Sequence, residues 1–253
     1  MSTLESSLSM LKNPAILTYL WKGIVFTIII SFIAVFVGVL LGSLLALLRN
    51  YCNSAKNKIF KWIAVVYIEV FRNTPLLLWI FICLVFCPCP GFLSKPMFGL
   101  TSVNTKLLFK ASVALVLFTS SVIAEIVRGG LNSVAHGQFE AGHSQGFNTV
   151  QIMIYIVLPQ AYRNIIPTLL SQVVTTIKDS SYLANVATIE LMARVKQILS
   201  AANRYNGTNA IHVSDVFVLF GFAALIYFVI NFTISCIVRY MQKRMKKPGV
   251  VRS

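Results

Sequence analysis

Gly23 to Leu48 reads GIVFTIIISFIAVFVGVLLGSLLALL, 26 residues without a charge between Lys22 and Arg49. Roughly 20 apolar residues in a helix cross the hydrocarbon core of a bilayer, so this stretch spans with length to spare. It is too long for the apolar core of a cleavable signal, and Met1 to Asn13 before it is polar and Ser-rich. The first span is therefore expected to stay in the mature chain. Composition agrees: 57% of the 253 residues are hydrophobic and 11% charged, against about a quarter charged in a soluble domain. Such a chain has no room for a large soluble catalytic domain.

Working outward, a second apolar stretch runs from Trp62 to Cys87, interrupted near its start by Glu69, Arg72 and Pro75. Val216 to Val238 supplies 23 charge-free residues and the last span. Ala111 to Ala124 and Asn164 to Ile177 are charge-free for only 14 residues each, and both read as spans whose polar ends face protein or a cavity. The expected fold is all-α, with five transmembrane helices.

The formal charge of +15, from 22 basic against 7 acidic residues, is explained by orientation in a bilayer, not by nucleic acid. Arg49, Lys56, Lys58 and Lys61 follow the first span, and Arg239, Lys243, Arg244, Lys246, Lys247 and Arg252 follow the last. Both clusters are expected in the cytoplasm, which gives an N-out, C-in arrangement. Residues 128–163 then lie inside, and 179–215 lie outside or at the outer surface. The outer segment contains an amphipathic stretch, Ile189 to Ala202, and a Gly/Asn loop, Asn203 to Asn209.

The most informative loop joins spans three and four. It contains Glu125-Ile-Val-Arg-Gly-Gly130, Gln138-Phe-Glu-Ala-Gly-His-Ser-Gln-Gly146 and Ile156-Val-Leu-Pro159. Two short helices, His136 to Gln145 and Asn148 to Val157, are expected to meet at Gly146, where a residue without Cβ turns the backbone cheaply. Pro159 suits the first turn of the next span. An apolar, Gly-hinged knob at the cytoplasmic face is either a docking element or a loop lying on lipid headgroups.

Glu-Ala, a Gly five residues beyond the Ala, then Ile-x-Leu-Pro resembles the EAA motif of ABC importer permeases, carried here by Glu140, Ala141, Gly146, Ile156, Leu158 and Pro159. Gly142 stands where that family usually has a second Ala, a departure expected to loosen the first short helix. Phe71-Arg-Asn-Thr-Pro-Leu-Leu77, Ala124 to Gly130, Leu158 to Ala161 and Lys178-Asp-Ser-Ser181 are similar to the polar-amino-acid branch. The resemblance covers residues 21–239, with the coupling loop at 129–160. Outside it lie a polar extracytoplasmic extension, 1–20, and a basic cytoplasmic tail, 240–253.

The resemblance implies the permease subunit of an importer in the bacterial cytoplasmic (inner) membrane, working by alternating access. Its implied partners are a cytoplasmic ABC ATPase dimer, a second permease that is a copy or a paralogue, an extracytoplasmic solute-binding protein, and membrane lipid. The chain has no Gly-x-x-x-x-Gly-Lys-Ser/Thr loop, so ATP and Mg belong to the partner ATPase and no cofactor is expected here. In the family the loop seats in a groove of the ATPase. By that carry-over Glu140 anchors polar contacts, Ala141 permits close approach, Gly146 makes the bend, and Leu158 with Pro159 fixes the loop to span four. The resemblance leans to glutamine, glutamate or aspartate as substrate. The alternatives are a permease for basic amino acids such as arginine or histidine and, from another class, a membrane scaffold recruiting a cytoplasmic partner.

Polar residues within spans mark pathways by default. Gln172, Thr175, Lys178, Asp179, Ser180 and Ser181 form a dense polar stretch where the fourth helix should break, and they either touch substrate or pack and hinge. Glu69 with Arg72, and Glu125 with Arg128, lie three apart and read as structural ion pairs. Gly38-x-x-x-Gly42 fits close helix packing within the subunit. Cys83, Cys87 and Cys89 read as free thiols that oxidising conditions could join, and His136 and His143 form no metal spacing. No nucleophile, base and metal constellation of an intramembrane enzyme occurs, so no catalytic residue is expected.

Overall fold

The structure, a computed structural model, describes residues 3–52, 58–96, 99–186, 188–206 and 210–245. The loop lysine Lys56 and the tail residues Lys246, Lys247 and Arg252 lie outside these. Among the described residues the chain is helical without strands. The helices are α1 Thr3–Lys12, α2 Pro14–Tyr51, α3 Lys58–Arg72, α4 Leu76–Phe86, α5 Ser102–Asn132, α6 Gly137–Ser144, α7 Thr149–Ile152, α8 Leu158–Asp179, α9 Leu191–Ser200 and α10 Val213–Met245. Helices α2, α5 and α10 are each long and apolar enough to cross a membrane, and α3 with α4 makes a fourth candidate if the broken pair counts as one span. Helix α8 has 22 residues, enough to cross, but a more polar composition.

The second apolar stretch is therefore not one helix. Pro75 has no N–H to donate and disfavours helical backbone at the residue before it, so α3 ends at Arg72 and α4 starts at Leu76. Asn73 closes the first piece, its N–H and its side-chain amide both reaching the Glu69 carbonyl, at 3.1 and 2.8 Å. The N-terminal extension also differs from a plain polar tail, because it forms α1 and the first span already begins at Pro14.

The chain divides into two compact units. One comprises 1–34, 76–115 and 175–234, the other 35–75, 116–174 and 235–253. Helices α2, α5, α8 and α10 each contribute one part to each.

In the first unit, Met10, Leu20, Leu191, Val195 and Leu219 are buried together, so α1, α2, α9 and α10 share one core. Helix α1 is tied down by Ser7, whose hydroxyl lies 2.6 Å from Asp215 Oδ1 and 2.8 Å from the Ser214 hydroxyl. Asp215 also accepts from the Asn206 side chain and the His212 N–H. Helix α9 is not a helix resting at the ends of the long ones. Leu191 N–H donates to Thr27, 13 residues into α2, and Glu190 accepts from Tyr227, 14 residues into α10, each about 20 Å along its helix. Gly23 permits the approach, since a Cβ there would stand 2.7 Å from Arg194 Cδ and 3.0 Å from Leu191 Cα.

In the second unit, Gly38 and Gly42 lie against α5. A Cβ on Gly42 would meet the Ser120 carbonyl oxygen at 2.8 Å and Ala124 N at 2.9 Å, so the small-residue spacing serves packing within the subunit. Ile123, Val127 and Leu131 of α5 bury against Ile152, Val157, Ala161 and Ile165. That core seats the loop between α5 and α8. Elsewhere, Cys83, Cys87 and Cys89 are free thiols, Cys83 being buried.

Candidate coupling loop and translocation path

The loop is built from local rules. Helix α6 closes on Gly146 at φ +81°, where Phe147 N–H donates to the Gly142 carbonyl at 3.1 Å and Gly146 N–H to the His143 carbonyl at 2.9 Å. This is the Schellman arrangement, which favours glycine at the left-handed position. Asn148 then caps α7 in a reciprocal box, its side chain accepting from Gln151 N–H while the Gln151 side chain accepts from Asn148 N–H, both at 2.9 Å. From Ile152 the backbone continues through a π-helical turn, Met153–Val157, straight into α8. Leu158 and Pro159 occupy the first positions of that helix.

Gly142 does not loosen α6. It is buried, and a Cβ would stand 2.7 Å from Ile152 Cγ1 and 3.2 Å from Ile156 Cδ1. The missing methyl lets the two short helices touch. Ala141 and Glu140 lie on the exposed side, and Glu140 Oε1 is 3.1 Å from His136 Nδ1. The apolar residues divide the same way: Ile152 and Val157 are buried, whereas Val150, Ile154 and Tyr155 are exposed. Asn50, Tyr51, Asn132, Val134, Phe139 and His143 line an open groove of about 790 Å³ beside the loop.

The ion pairs read from spacing are rearranged. Glu125 does hold Arg128, at 2.8 Å, but it also binds Arg49 at 2.6 Å and approaches Arg72 at 3.7 Å. Glu69 takes Arg49 at 3.1 Å, not Arg72. A spacing of three puts Glu69 and Arg72 on one face, yet α2 brings Arg49 between two carboxylates, where one guanidinium offers a separate nitrogen to each. The result is a cluster of three guanidiniums and two carboxylates. Arg49 is the member the spacing argument missed.

Along α8 the structure divides the expected path residues. Thr175 and Lys178 are exposed, Asp179 and Ser181 half-buried, and Gln172 and Ser180 buried. The exposed pair belongs to a longer stripe, Gln160, Asn164, Thr168, Ser171, Thr175 and Lys178, all exposed at spacings of four, four, three, four and three. That is one face of a helix. The same periodicity is present in the sequence, where Gln160, Asn164 and Thr168 extend the polar stretch back along the helix. As expected, the helix stops at the polar stretch: α8 ends at Asp179 and a 3₁₀ segment, Ser180–Val186, follows.

The site thus consists of a polar face along one 22-residue helix and a loop, turned at Gly146, that leaves Glu140 and Ala141 exposed. The chain belongs to the family of binding-protein-dependent transport system inner membrane components, whose model matches residues 38–247. It is 32% identical over 228 residues to the probable glutamine ABC transporter permease protein GlnP of Bacillus subtilis (strain 168), covering 90% of this chain and 94% of that one. It is 33% identical over 233 residues to the glutamate/aspartate import permease protein GltK of Escherichia coli O6:H1, with the same coverage. The solved structure of an amino acid ABC transporter with histidines matches at TM-score 0.72 and 30% identity, over 94% of this chain and 97% of that one. The inward-facing MetNI methionine ABC transporter matches at TM-score 0.62 and 20% identity over 90% and 98%, a likeness of fold. The chain is thus a multi-pass membrane component of a transport system and not its ATPase.

Proposed function

We propose that this chain is the permease subunit of an amino-acid ABC importer, with glutamine, glutamate or aspartate as substrate. It crosses the bacterial inner membrane five times, N-out and C-in, and pairs with a second permease, a copy or a paralogue. A solute-binding protein delivers the amino acid from outside, and a cytoplasmic ATPase dimer holds the ATP and Mg. The observation that carries this reading is the hinged loop: a buried Gly142 and a left-handed Gly146 leave Glu140 and Ala141 exposed on a core shared with α5 and α8. Residues Ile156, Leu158 and Pro159 join that loop to α8, so a displacement of the loop is passed directly into the helix bearing the polar stripe.

A polar stripe on a membrane helix is costly against lipid and suited to a water-filled path. In this reading Thr175 and Lys178 line the path, and Gln172, Asp179, Ser180 and Ser181 shape the helix end. The runner-up substrate is a basic amino acid, favoured by the likeness to the amino acid ABC transporter solved with histidines.

The test is ATP-dependent uptake of radiolabelled glutamine, glutamate, aspartate, arginine and histidine by liposomes holding the purified transporter with its binding protein. Uptake of any of the first three supports the assignment, arginine or histidine alone replaces the substrate class, and uptake of none overturns it. Copurification in mild detergent tests the loop. Gly146→Val places a β-branched side chain where φ is +81°, a backbone region that costs such residues about 1–2 kcal/mol. The expected outcome is loss of the ATPase from the purified complex with membrane insertion intact.

A further inference from the structure

Helix α3 opens on Lys58 and Lys61 and closes with Glu69 and Arg72 in the charged cluster. The partner of Glu69 there is Arg49, which directly follows the 26 charge-free residues of the first span and stands two residues before the end of α2. The cluster therefore sits at the end of that span, at headgroup level. A helix entering the bilayer at Lys58 would carry Glu69 about 16 Å inward, beyond the reach of a guanidinium held at the surface. The 3.1 Å contact between Arg49 and Glu69 instead requires α3 to run along the membrane surface. Asn73 to Ser94, 22 residues without a charge, still supplies the crossing of the second apolar stretch.

The side chains of α3 divide as an in-plane helix requires. Ala64, Ile68 and Phe71 are buried. Ile59, Trp62, Ile63, Val66 and Val70 are exposed and fall in one stripe, along which lies an apolar groove of about 500 Å³. Lys58, Lys61, Glu69 and Arg72 share the adjoining face. Tyr67 marks the direction of the core: its hydroxyl donates to the Leu117 carbonyl at 3.0 Å and lies 2.8 Å from the Ser120 hydroxyl, both further along α5 from the cytoplasmic end than Glu125. An apolar stripe bearing a tryptophan, with lysines on the adjoining face, is the pattern of a helix seated at the boundary between headgroups and acyl chains.

We propose that α3 is an in-plane helix that binds anionic phospholipid of the cytoplasmic leaflet, its apolar stripe among the acyl chains and Lys58 and Lys61 on the phosphates. The charge decides for lipid of that kind, since residues 58–68 carry two lysines and no acid, complementary to anionic headgroups. The choice of leaflet rests on the orientation proposed above.

The experiment uses the full transporter, with its ATPase and second permease, in phosphatidylcholine bilayers. These contain an equal small share of either phosphatidylglycerol or phosphatidylcholine brominated on the acyl chains, which quenches nearby tryptophan. The part of the fluorescence that Trp62→Phe removes is the signal of α3. The expected result is quenching by both lipids with a preference for phosphatidylglycerol, roughly fivefold for each lysine. Lys58→Gln combined with Lys61→Gln is expected to abolish the preference while quenching by phosphatidylcholine persists. Equal quenching by the two lipids in wild type overturns the proposal, as does a preference that survives the double substitution. Absence of quenching by either lipid also overturns it and means that protein, such as the second permease, covers the stripe. The measurement needs no transport, so its failure is distinguishable from failure of the uptake assay.

Discussion

Two polar clusters stabilise their carboxylates by different means. Around Glu125 the solution is ionic: three guanidiniums surround two carboxylates, and side-chain exposures run from 15% for Glu125 to 47% for Glu69. Around Glu190 the solution is dipolar: two N–H groups and one phenol on a fully buried carboxylate. Ions interact over distance and are screened by salt, whereas hydrogen bonds inside a packed core are short-ranged and shielded from it. The first cluster tolerates rearrangement of its partners, and the second depends on geometry at every member.

The sharpest way to break this contrast is Glu125→Ala, which leaves three guanidiniums with only the Glu69 carboxylate among them. Removing one side of a largely buried pair is expected to cost on the order of 3 kcal/mol, read as a lower unfolding temperature in detergent and partly restored at high salt. Next, Thr27→Val removes the hydroxyl that accepts Leu191 N–H and leaves a buried donor unmade, a loss of about 2 kcal/mol. The same melts at low and high salt should show no change in that deficit. A salt-dependent deficit would place Thr27 in an electrostatic role and erase the distinction. The smallest effect is expected for Glu69→Gln, whose half-exposed pair with Arg49 contributes under about 1 kcal/mol; the difference from wild type should vanish in high salt.

Legibility in the sequence followed the range of the interactions. The two short helices meeting at Gly146 could be read from the sequence, because the turn between them closes within a few residues. Helix α9 could be read as amphipathic, but not that its start meets α2 through Leu191 and α10 through Glu190, since Thr27 and Tyr227 carry no signal toward it along the chain. The pairing of Glu69 with Arg72 failed for the same reason: a local spacing was outcompeted by Arg49, brought in by another helix. Gly142 was misjudged by treating helix propensity alone, when Ile152 and Ile156 on the facing helix decide what fits there.

The π-helical turn at Met153–Val157 has a geometric consequence of its own. A π turn accommodates one more residue than an α turn, and one residue corresponds to about 100° of rotation. The helix before it presents Ile152 to Gly142, and the helix after it presents Gln160, Asn164 and Thr168 outward. The turn acts as a phase shifter in a continuous screw. Deleting one residue from it would remove a single apolar side chain, yet swing the polar stripe by more than a quarter of a revolution relative to the loop before it.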